Sequence, residues 1–250
     1  MIDLHYQNAV NVYNEKCHFL IQSFYEQWVI NCLEKYFSFQ LYSPISIVDL
    51  GCGNGYFVNK FVSHINQVKE CIGVDPYVEW LPVAKTQPNI TQTMCKNANE
   101  FSKMSEMNYS HLLMKEMIHH IDVSTLPDVF NGLYKQLDEN GRVVIITRPI
   151  ETNYPFFDRI QHLWKLTQTP YEVVVSSMKH AGFEVQVEFE LLPITVQKKD
   201  WLSFIKNKTW SVFSMCTEEE MMDGLYTLNK ELEDSFTFNE MLIFIIGHKI

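Results

Sequence analysis

The chain has 250 residues, of which 46% are hydrophobic and 20% are charged. This length and composition are ordinary for a globular protein with one sizeable α/β domain. The formal net charge at pH 7 is −10, and Lys and Arg form no long run. Because binding to a nucleic-acid backbone needs clustered positive charge, the composition argues against a nucleic-acid partner and favours a small-molecule substrate.

The six cysteines are scattered, and no two of them form a Cys-x-x-Cys pair. This usage is typical of a reducing compartment and indicates neither a disulfide framework nor a metal site. The first residues lack a basic stretch followed by an apolar one, and no window approaches the roughly 20 apolar residues of a membrane span. We therefore expect a cytoplasmic protein without a metal or a membrane partner. The composition does not indicate an oligomeric state.

Residues 8–39 show helical spacing with an unusual number of aromatic side chains, which predicts one or two helices before the first strand. Packing along one helical face explains most of these aromatic residues. Tyr6 and Tyr13 are seven positions apart, so a helix would place them on the same face. They are the candidates in this region for ligand contact, Tyr13 with a cofactor and Tyr6 with a substrate.

The segment from Ile45 to Gly55 reads I-S-I-V-D-L-G-C-G-N-G, an apolar run followed by three glycines at alternate positions. It predicts a buried strand that runs into a loop, and the helical spacing of the next apolar residues predicts a helix after the loop. Glycines carry no Cβ and tolerate positive φ, so a ligand can approach this main chain closely. Strand, glycine loop and helix together are typical of a nucleotide-binding site.

The spacing of these glycines argues against a dinucleotide. A G-x-G-x-x-G loop would have its third glycine at position 56, where this chain has Tyr56. Asp49, two residues before Gly51, adds a carboxylate that suits a ligand with cationic or hydroxyl donors. A second apolar strand ends at Asp75, 20 residues after Gly55, where a carboxylate can bind two ribose hydroxyls.

Strands and helices alternate along the rest of the chain, which predicts a parallel sheet covered on both faces. The further predicted strands are residues 90–96, 110–114, 142–147, 183–192 and 241–247. The further predicted helices are residues 122–137, 171–181, 200–213 and 217–233. Residues 148–170 contain three prolines and are predicted to be irregular. No crossover fits after the last strand, so we expect the last two strands to pair antiparallel.

The motif from Asp49 to Gly55 resembles the first motif of the class I S-adenosylmethionine-dependent methyltransferases. The resemblance implies a doubly wound, mostly parallel seven-stranded sheet whose last strand is inserted antiparallel between the fifth and the sixth. It implies a single domain over residues 1–250, with a helical lid in 1–43, a cofactor-binding core in 44–150, and substrate-side helices and the last two strands in 151–250. The helices of residues 200–233 would be an insertion that covers the substrate pocket.

The same resemblance implies S-adenosyl-L-methionine as the cofactor. Asp49 would lie near the methionine end, the glycine loop beneath the cofactor, and Asp75 on the ribose. Asn97 stands where the family usually has an acid near the adenine amine, and its amide oxygen can accept the same hydrogen bond. The predicted cofactor residues are Tyr13, Asp49, Gly51, Cys52, Gly53, Asn54, Gly55, Asp75, Pro76, Asn97, Ala98, Met114 and Lys115.

A methyl group on a sulfonium is already activated, so the enzyme needs little covalent chemistry. Orienting the reactants can by itself lower the activation barrier by about 7–11 kcal/mol. Where the acceptor carries a proton, a neutral His or a Glu can take it. The loop after the fourth strand provides the catalytic candidates Glu116, His119 and His120, and His119 matches a position where the family tends to have a histidine. Alternatively, adjacent histidines often bind loop carbonyls only, and Lys115 and Glu116 can form a surface ion pair.

Three residues in the second half of the chain are candidates for substrate contact. Arg148, just past the fifth strand, could bind an acidic group of the substrate or form a salt bridge with one of the many acids. Trp164 and Trp210 lie in segments expected to cap the pocket, and aromatic walls suit a planar or cationic acceptor. Core packing explains the two tryptophans equally well.

The sequence therefore predicts a methyltransferase that uses S-adenosylmethionine and acts on an N or O atom of a small acceptor. A non-catalytic protein of the same fold that binds S-adenosylmethionine is the alternative, because Ser110 and Asn97 replace acids that are usual in the family. A nicotinamide-dependent oxidoreductase is disfavoured by Tyr56. Methylation of a nucleic-acid base is disfavoured by the acidic charge and by the lack of an Asn-Pro-Pro-Tyr tetrapeptide.

Overall fold

The structure is a computed structural model that describes residues 23–39, 44–65 and 68–250. Tyr6 and Tyr13 lie outside these residues, so the ligand contacts expected of them stay predictions. The chain divides into two compact units. We call the larger one the sheet unit; its described residues are 27–39, 44–65, 68–148, 169–189 and 243–250. We call the other one the aromatic unit; its described residues are 23–26, 149–168 and 190–242.

One sheet of seven strands organises the fold. Its strands are β1 (Ile45–Leu50), β2 (Val68–Asp75), β3 (Gln92–Cys95), β4 (Tyr109–Lys115), β5 (Leu137–Thr147), β6 (Glu184–Gln197) and β7 (Ser235–His248). Their order is β3-β2-β1-β4-β5-β7-β6. The first five strands pair in parallel, and β7 pairs antiparallel with β5. The predicted topology, with the last strand between the fifth and the sixth, is confirmed.

The helices alternate with the strands as the sequence indicates. They are α1 (Ser23–Phe37), α2 (Tyr56–Val62), α3 (Leu81–Ala84), α4 (Ala98–Ser102), α5 (Leu126–Gln136), α6 (Asp158–Thr167), α7 (Tyr171–Ala181), α8 (Lys198–Lys206) and α9 (Glu218–Glu231). Short 3₁₀ helices span Ile118–His120, Val123–Thr125 and Ser211–Met215. The prediction of an irregular segment over residues 148–170 is wrong for α6. There Ile160, Leu163 and Trp164 are buried at helical spacing, and the prolines flank the helix without interrupting it.

Both faces of the sheet are covered in the sheet unit. Along β1, Ile45 and Ile47 belong to one buried cluster, which also includes residues of α2 and α3. Val48 and Leu50 belong to another, which includes residues of α4, α5 and α7. Because successive side chains of a strand point to opposite faces, this alternation is what a strand covered on both sides requires.

A buried side-chain network joins β4 to the helices beside it. The Tyr109 hydroxyl donates to Gln136 Oε1 at 3.0 Å. The amide of Gln136 donates to the carbonyl oxygens of Phe101 at 2.7 Å and Met104 at 2.9 Å. Each buried polar group of the glutamine therefore has a partner, which fixes the end of α5 against α4.

The aromatic unit contains a buried carboxylate that two tyrosines bind. Glu240 on β7 has no exposed surface and accepts hydrogen bonds from the hydroxyls of Tyr154 at 2.6 Å and Tyr25 at 3.4 Å. Indole N–H groups are also bonded, that of Trp164 to the Pro149 carbonyl and that of Trp201 to the Pro155 carbonyl. No helix in the described part of the chain is both long and apolar enough to cross a membrane.

The contact between α4 and α5 gives a test of the packing. A Cβ added at Gly132 would overlap the carbonyl oxygen of Ser102. We expect Gly132→Ala to lower the free energy of unfolding by about 2–3 kcal/mol, because overpacking outweighs the gain of about 1 kcal/mol in helix propensity. Urea denaturation measures this. The exposed Lys135→Ala on the same helix should change stability by less than about 0.5 kcal/mol; equal values for the two variants would contradict the observed packing.

Candidate cofactor and active site

The loop between β1 and α2 depends on its three glycines in two different ways. Gly51, Gly53 and Gly55 have φ of +86°, +53° and +72°, which L-residues with a Cβ rarely adopt. A Cβ at Gly51 would collide with Met117, and one at Gly55 with Ile90. A Cβ at Gly53 would meet no described atom within 4 Å. The outer glycines therefore allow close packing, whereas the middle glycine leaves open space above the main chain.

Asp75, at the end of β2, joins this loop to the one that follows β2. Its Oδ2 accepts a hydrogen bond from the Gly53 amide at 2.9 Å, and its Oδ1 accepts one from the Tyr77 amide at 2.9 Å. Burial raises the pKa of Asp75, and the two amide hydrogen bonds oppose that rise. Each oxygen of a carboxylate can accept more than one hydrogen bond, so a hydroxyl-bearing ligand can still bind here.

Asp49 lies at the end of β1 with only 4% of its surface exposed. Its Oδ1 is buried and has no hydrogen-bond partner among the described residues. Burial raises the pKa of Asp49 to about 7, Lys115 lowers it, and Asp75 raises it further. A buried carboxylate oxygen without a partner is costly, and a ligand with a cationic donor would offset that cost.

Glu116, the first residue after β4, is held in a left-handed backbone conformation with φ of +56°. Its amide donates to the Ile146 carbonyl at 2.8 Å. The side chain pairs through Oε1 with Lys115 and through Oε2 with Arg148, both at 2.7 Å. Burial opposes ionisation, but Arg148 and Lys115 outweigh it and hold the pKa of Glu116 well below its usual range. The structure therefore contains the Lys115–Glu116 pair and a salt bridge of Arg148 to an acid, the two ion pairs that the sequence offered as alternatives to ligand contact. Glu116 is ionised at neutral pH.

The adjacent histidines of the 3₁₀ helix after β4 have different environments. His119 is half-buried and His120 is exposed, and their ring centroids lie 4.0 Å apart. Burial, followed by the neighbouring His120, lowers the pKa of His119 to about 3 despite the opposing charge of Glu116. His119 is therefore a neutral imidazole at pH 7, able to accept a hydrogen bond through one ring nitrogen and donate one through the other.

Several predicted cofactor residues have structural roles in the loops. Asn97 caps α4, where its Oδ1 accepts from the Glu100 amide at 2.9 Å. Asn54 Oδ1 accepts from the Tyr56 amide at 3.1 Å and so supports the start of α2. Burial raises the pKa of the Cys52 thiol strongly, so this thiol is not a reactive nucleophile.

The remaining predicted residues are divided between the two units. Pro76 is exposed, whereas Ala98 and Met114 are buried, so that Met114 can offer a ligand its main chain only. Trp164 and Trp210 belong to the aromatic unit, where they are buried with ring centroids 5.4 Å apart. This packing accounts for both tryptophans, and their contact with an acceptor stays a prediction.

Thr147 was not among the predicted site residues. It ends β5, beside Arg148, and its buried Oγ1 has no hydrogen-bond partner within the part of the chain that the structure describes. A hydroxyl at the carboxyl end of a parallel strand is the signal that could have identified it, since ligands of open α/β sheets bind at that end.

The site therefore combines an open glycine loop, a partnered Asp75 and an unpartnered Asp49 at the carboxyl ends of β1 and β2. Residues 21–188, more than half of the chain, match a family model described as a methyltransferase domain. The chain belongs to the class I S-adenosylmethionine-dependent methyltransferases. None of the curated proteins compared with this methyltransferase is similar to it.

Three solved structures show how widely this methyltransferase shares its fold. A putative methyltransferase of an antibiotic biosynthesis pathway from Anabaena variabilis has a TM-score of 0.65 at 14% identity, over 87% of this chain and 96% of the other. An S-adenosylmethionine-dependent methyltransferase from Archaeoglobus fulgidus has a TM-score of 0.54 at 17% identity, over 90% and 94%. A cyclopropane synthase from Mycobacterium tuberculosis has a TM-score of 0.61 at 12% identity, over 98% and 96%.

S-adenosylmethionine, the cofactor of this family, fits the donors and acceptors of the site. Its methionine end carries an ammonium group, which matches the unpartnered Oδ1 of Asp49. Its ribose carries two hydroxyls, which match the ordered oxygens of Asp75. The open space above Gly53 leaves room for a ligand against the main chain. The described residues contain no cluster of side chains that could hold a metal ion.

The raised pKa of Asp49 predicts how stability depends on pH without ligand. The folded protein keeps this proton up to about pH 7, whereas the unfolded chain loses it near pH 3.8. The folded state binds more protons in this window, so the contribution of Asp49 to stability falls as the pH rises. We expect the stability of Asp49→Asn relative to the wild type to increase by about 2–4 kcal/mol between pH 4 and pH 7 and to be constant above it.

Urea denaturation of the ligand-free protein across this pH range measures the difference. The exposed Asp223→Asn serves as the matched control for the removal of one carboxylate. A difference between Asp49→Asn and the wild type that does not vary with pH would contradict the raised pKa.

Proposed function

We propose that the protein transfers the methyl group of S-adenosylmethionine to an N or O atom of a small organic acceptor. The observation that carries the proposal of an N or O acceptor is the neutral, half-buried His119 beside the ionised Glu116. A neutral imidazole can accept a hydrogen bond from an N–H or O–H group of the acceptor. A carbon acceptor offers no such donor. The net charge of −10 further supports a small molecule over a nucleic acid.

Two carboxylates of the sheet unit would bind different parts of the cofactor. Asp49 would pair with the ammonium group of the cofactor, and Asp75 would accept from its ribose hydroxyls. Bound S-adenosylmethionine supplies a methyl group that its sulfonium already activates. The protein must then orient the acceptor and exclude water, which lowers the barrier without a covalent step.

The residues after β4 would orient the acceptor by a hydrogen bond and would not take its proton, which is released to solvent after methyl transfer. The pKa of His119, about 3, makes it a weak base, so we assign it the role of a hydrogen-bond acceptor that orients the reacting atom. Glu116 stays paired with Arg148 and Lys115, and its negative charge stabilises any positive charge that develops on His119. Arg148 would act on the site through Glu116. We propose no proton transfer to Glu116, because its pKa lies well below the working range.

Binding of the cofactor is tested with S-adenosylhomocysteine, the demethylated product, by isothermal titration calorimetry. Asp75→Asn should weaken binding by at least about tenfold, because a hydrogen bond to a charged group is worth about 1.5–3 kcal/mol. The exposed Glu79→Gln, four residues along the chain, is the matched control and should bind as the wild type does. Equal affinity of the Asp75 variant would refute its role at the ribose; no binding to the wild type would refute the cofactor site.

Turnover is tested with methyl-labelled S-adenosylmethionine and a panel of small amines, phenols and carbon acids. We expect label in an amine or a phenol. His119→Leu, which removes the hydrogen-bond acceptor, should lower kcat by at least about tenfold while it changes the Kd for S-adenosylhomocysteine by less than about threefold. His120→Leu, at the exposed neighbouring position, should retain most of the activity.

Three outcomes of this experiment would contradict the proposal. Label found only in carbon acids would exclude an N or O acceptor. Equal kcat for the wild type and the His119 variant would make this histidine purely structural. Binding of S-adenosylhomocysteine without any methyl transfer across the panel would favour a non-catalytic protein that binds the cofactor.

A further inference from the structure

The ammonium group of Lys115 is held beside the glycine loop. Lys115 is the last residue of β4, and 22% of its side chain is exposed to solvent. Its Nζ donates to Glu116 Oε1 at 2.7 Å and lies 4.9 Å from the centroid of the Phe57 ring. Phe57 is the second residue of α2, two residues after Gly55. These two contacts place the cation between the end of β4 and the start of the helix that follows the loop.

Strand register puts Lys115 and Asp49 on the same face of the sheet. Asp49 is the register partner of Leu113 on the neighbouring parallel strand. Lys115 is two residues further along β4, and side chains two positions apart on a strand lie on one face. This face is the one that α2 covers, because Ile47, two residues before Asp49, belongs to the buried cluster that includes Val58 of α2. The charge of Lys115 accordingly lowers the pKa of Asp49. The two side chains therefore converge at the carboxyl ends of β1 and β4.

Lys115 can bind a second anion without leaving Glu116. Glu116 pairs with both Lys115 and Arg148, at 2.7 Å each, so one anion faces two cations. The side chain of Arg148 is 6% exposed and that of Lys115 is 22% exposed, so Lys115 is the cation that a ligand reaches more easily. An ammonium group has three N–H donors, and within the described residues Glu116 accepts from one of them. The other donors are available to a ligand.

The amino-acid end of S-adenosylmethionine carries its carboxylate on the same carbon atom as its ammonium group. An ammonium group bound to Asp49 therefore brings a carboxylate towards Lys115, and a charge-assisted hydrogen bond between the two is strong. We propose that Lys115 binds this carboxylate and thereby selects a cofactor with an intact amino-acid end over its decarboxylated form. The inference rests on the proposed function, because it takes Asp49 as the partner of the ammonium group. It gives the charge of Lys115 a part in specificity that the sequence pattern did not indicate.

Two ligands that differ only in this carboxylate test the proposal. They are S-adenosylhomocysteine and its decarboxylated form, which keeps the ammonium group, and isothermal titration calorimetry of the full chain gives the Kd of each. The wild type should bind S-adenosylhomocysteine at least about tenfold more tightly than the decarboxylated form. Lys115→Met, which has a similar length but no charge, should weaken the binding of S-adenosylhomocysteine by about tenfold and that of the decarboxylated form by less than about threefold. Lys115→Arg keeps the charge and should bind S-adenosylhomocysteine more tightly than Lys115→Met does.

Lys69→Met is the matched control, because Lys69 is exposed near the amino end of β2, away from the glycine loop, and this variant should bind both ligands as the wild type does. The proposal is overturned if the wild type binds the two ligands equally or if Lys115→Met binds S-adenosylhomocysteine as tightly as the wild type. It is also overturned if Lys115→Met loses affinity for both ligands to the same extent, since Lys115 would then only support the site through Glu116. Each of these results leaves the cofactor site standing, whereas a wild type that binds neither ligand would overturn the site and the proposal together.

Discussion

The two hydrogen bonds that Asp75 accepts from the main chain join the two loops of the candidate cofactor site. They join the glycine loop after β1, through the Gly53 amide, to the loop after β2, through the Tyr77 amide. The positive φ of the three glycines lets the loop turn back towards β2, and the Gly51 amide adds a bond to the Val74 carbonyl at 2.7 Å. A Cβ at Gly53 would meet no described atom within 4 Å, and Asp49, just before this loop, is buried.

Two carboxylates at neighbouring strand ends have opposite electrostatic environments. Asp49 is buried with one oxygen unpartnered, and burial raises its pKa to about 7. Glu116 pairs with Lys115 and Arg148, which outweigh burial and keep its pKa low. Divergent pKa values in one site commonly mark different tasks. Here Lys115 and Arg148 balance the charge of Glu116, whereas Asp49 Oδ1 has no hydrogen-bond partner among the described residues, and this difference favours a ligand with a cationic end.

The sequence predicted the parts of the molecule that depend on local patterns. The strand order that the family resemblance implies is confirmed. The alternate glycines form the loop after β1, and Asp49 and Asp75 lie at the ends of β1 and β2, but their cofactor-binding roles stay predictions. Contacts between distant segments could not be read from local spacing. The pairing of Arg148 with Glu116 needs the register of β4 and β5. Helix α6 was missed because prolines near its ends hid a short helical pattern.

The most direct test of this account is the titration of the Asp49 carboxyl by ¹³C NMR, with and without S-adenosylhomocysteine. In the free protein we expect the Asp49 signal to titrate near pH 7. When the ligand's ammonium group pairs with Oδ1, the opposite charge favours ionisation, and the midpoint should fall by about 2 units or more. A midpoint that is the same in both states, or one near pH 4 in the free protein, would contradict the claim that Asp49 is kept without a partner for the cofactor.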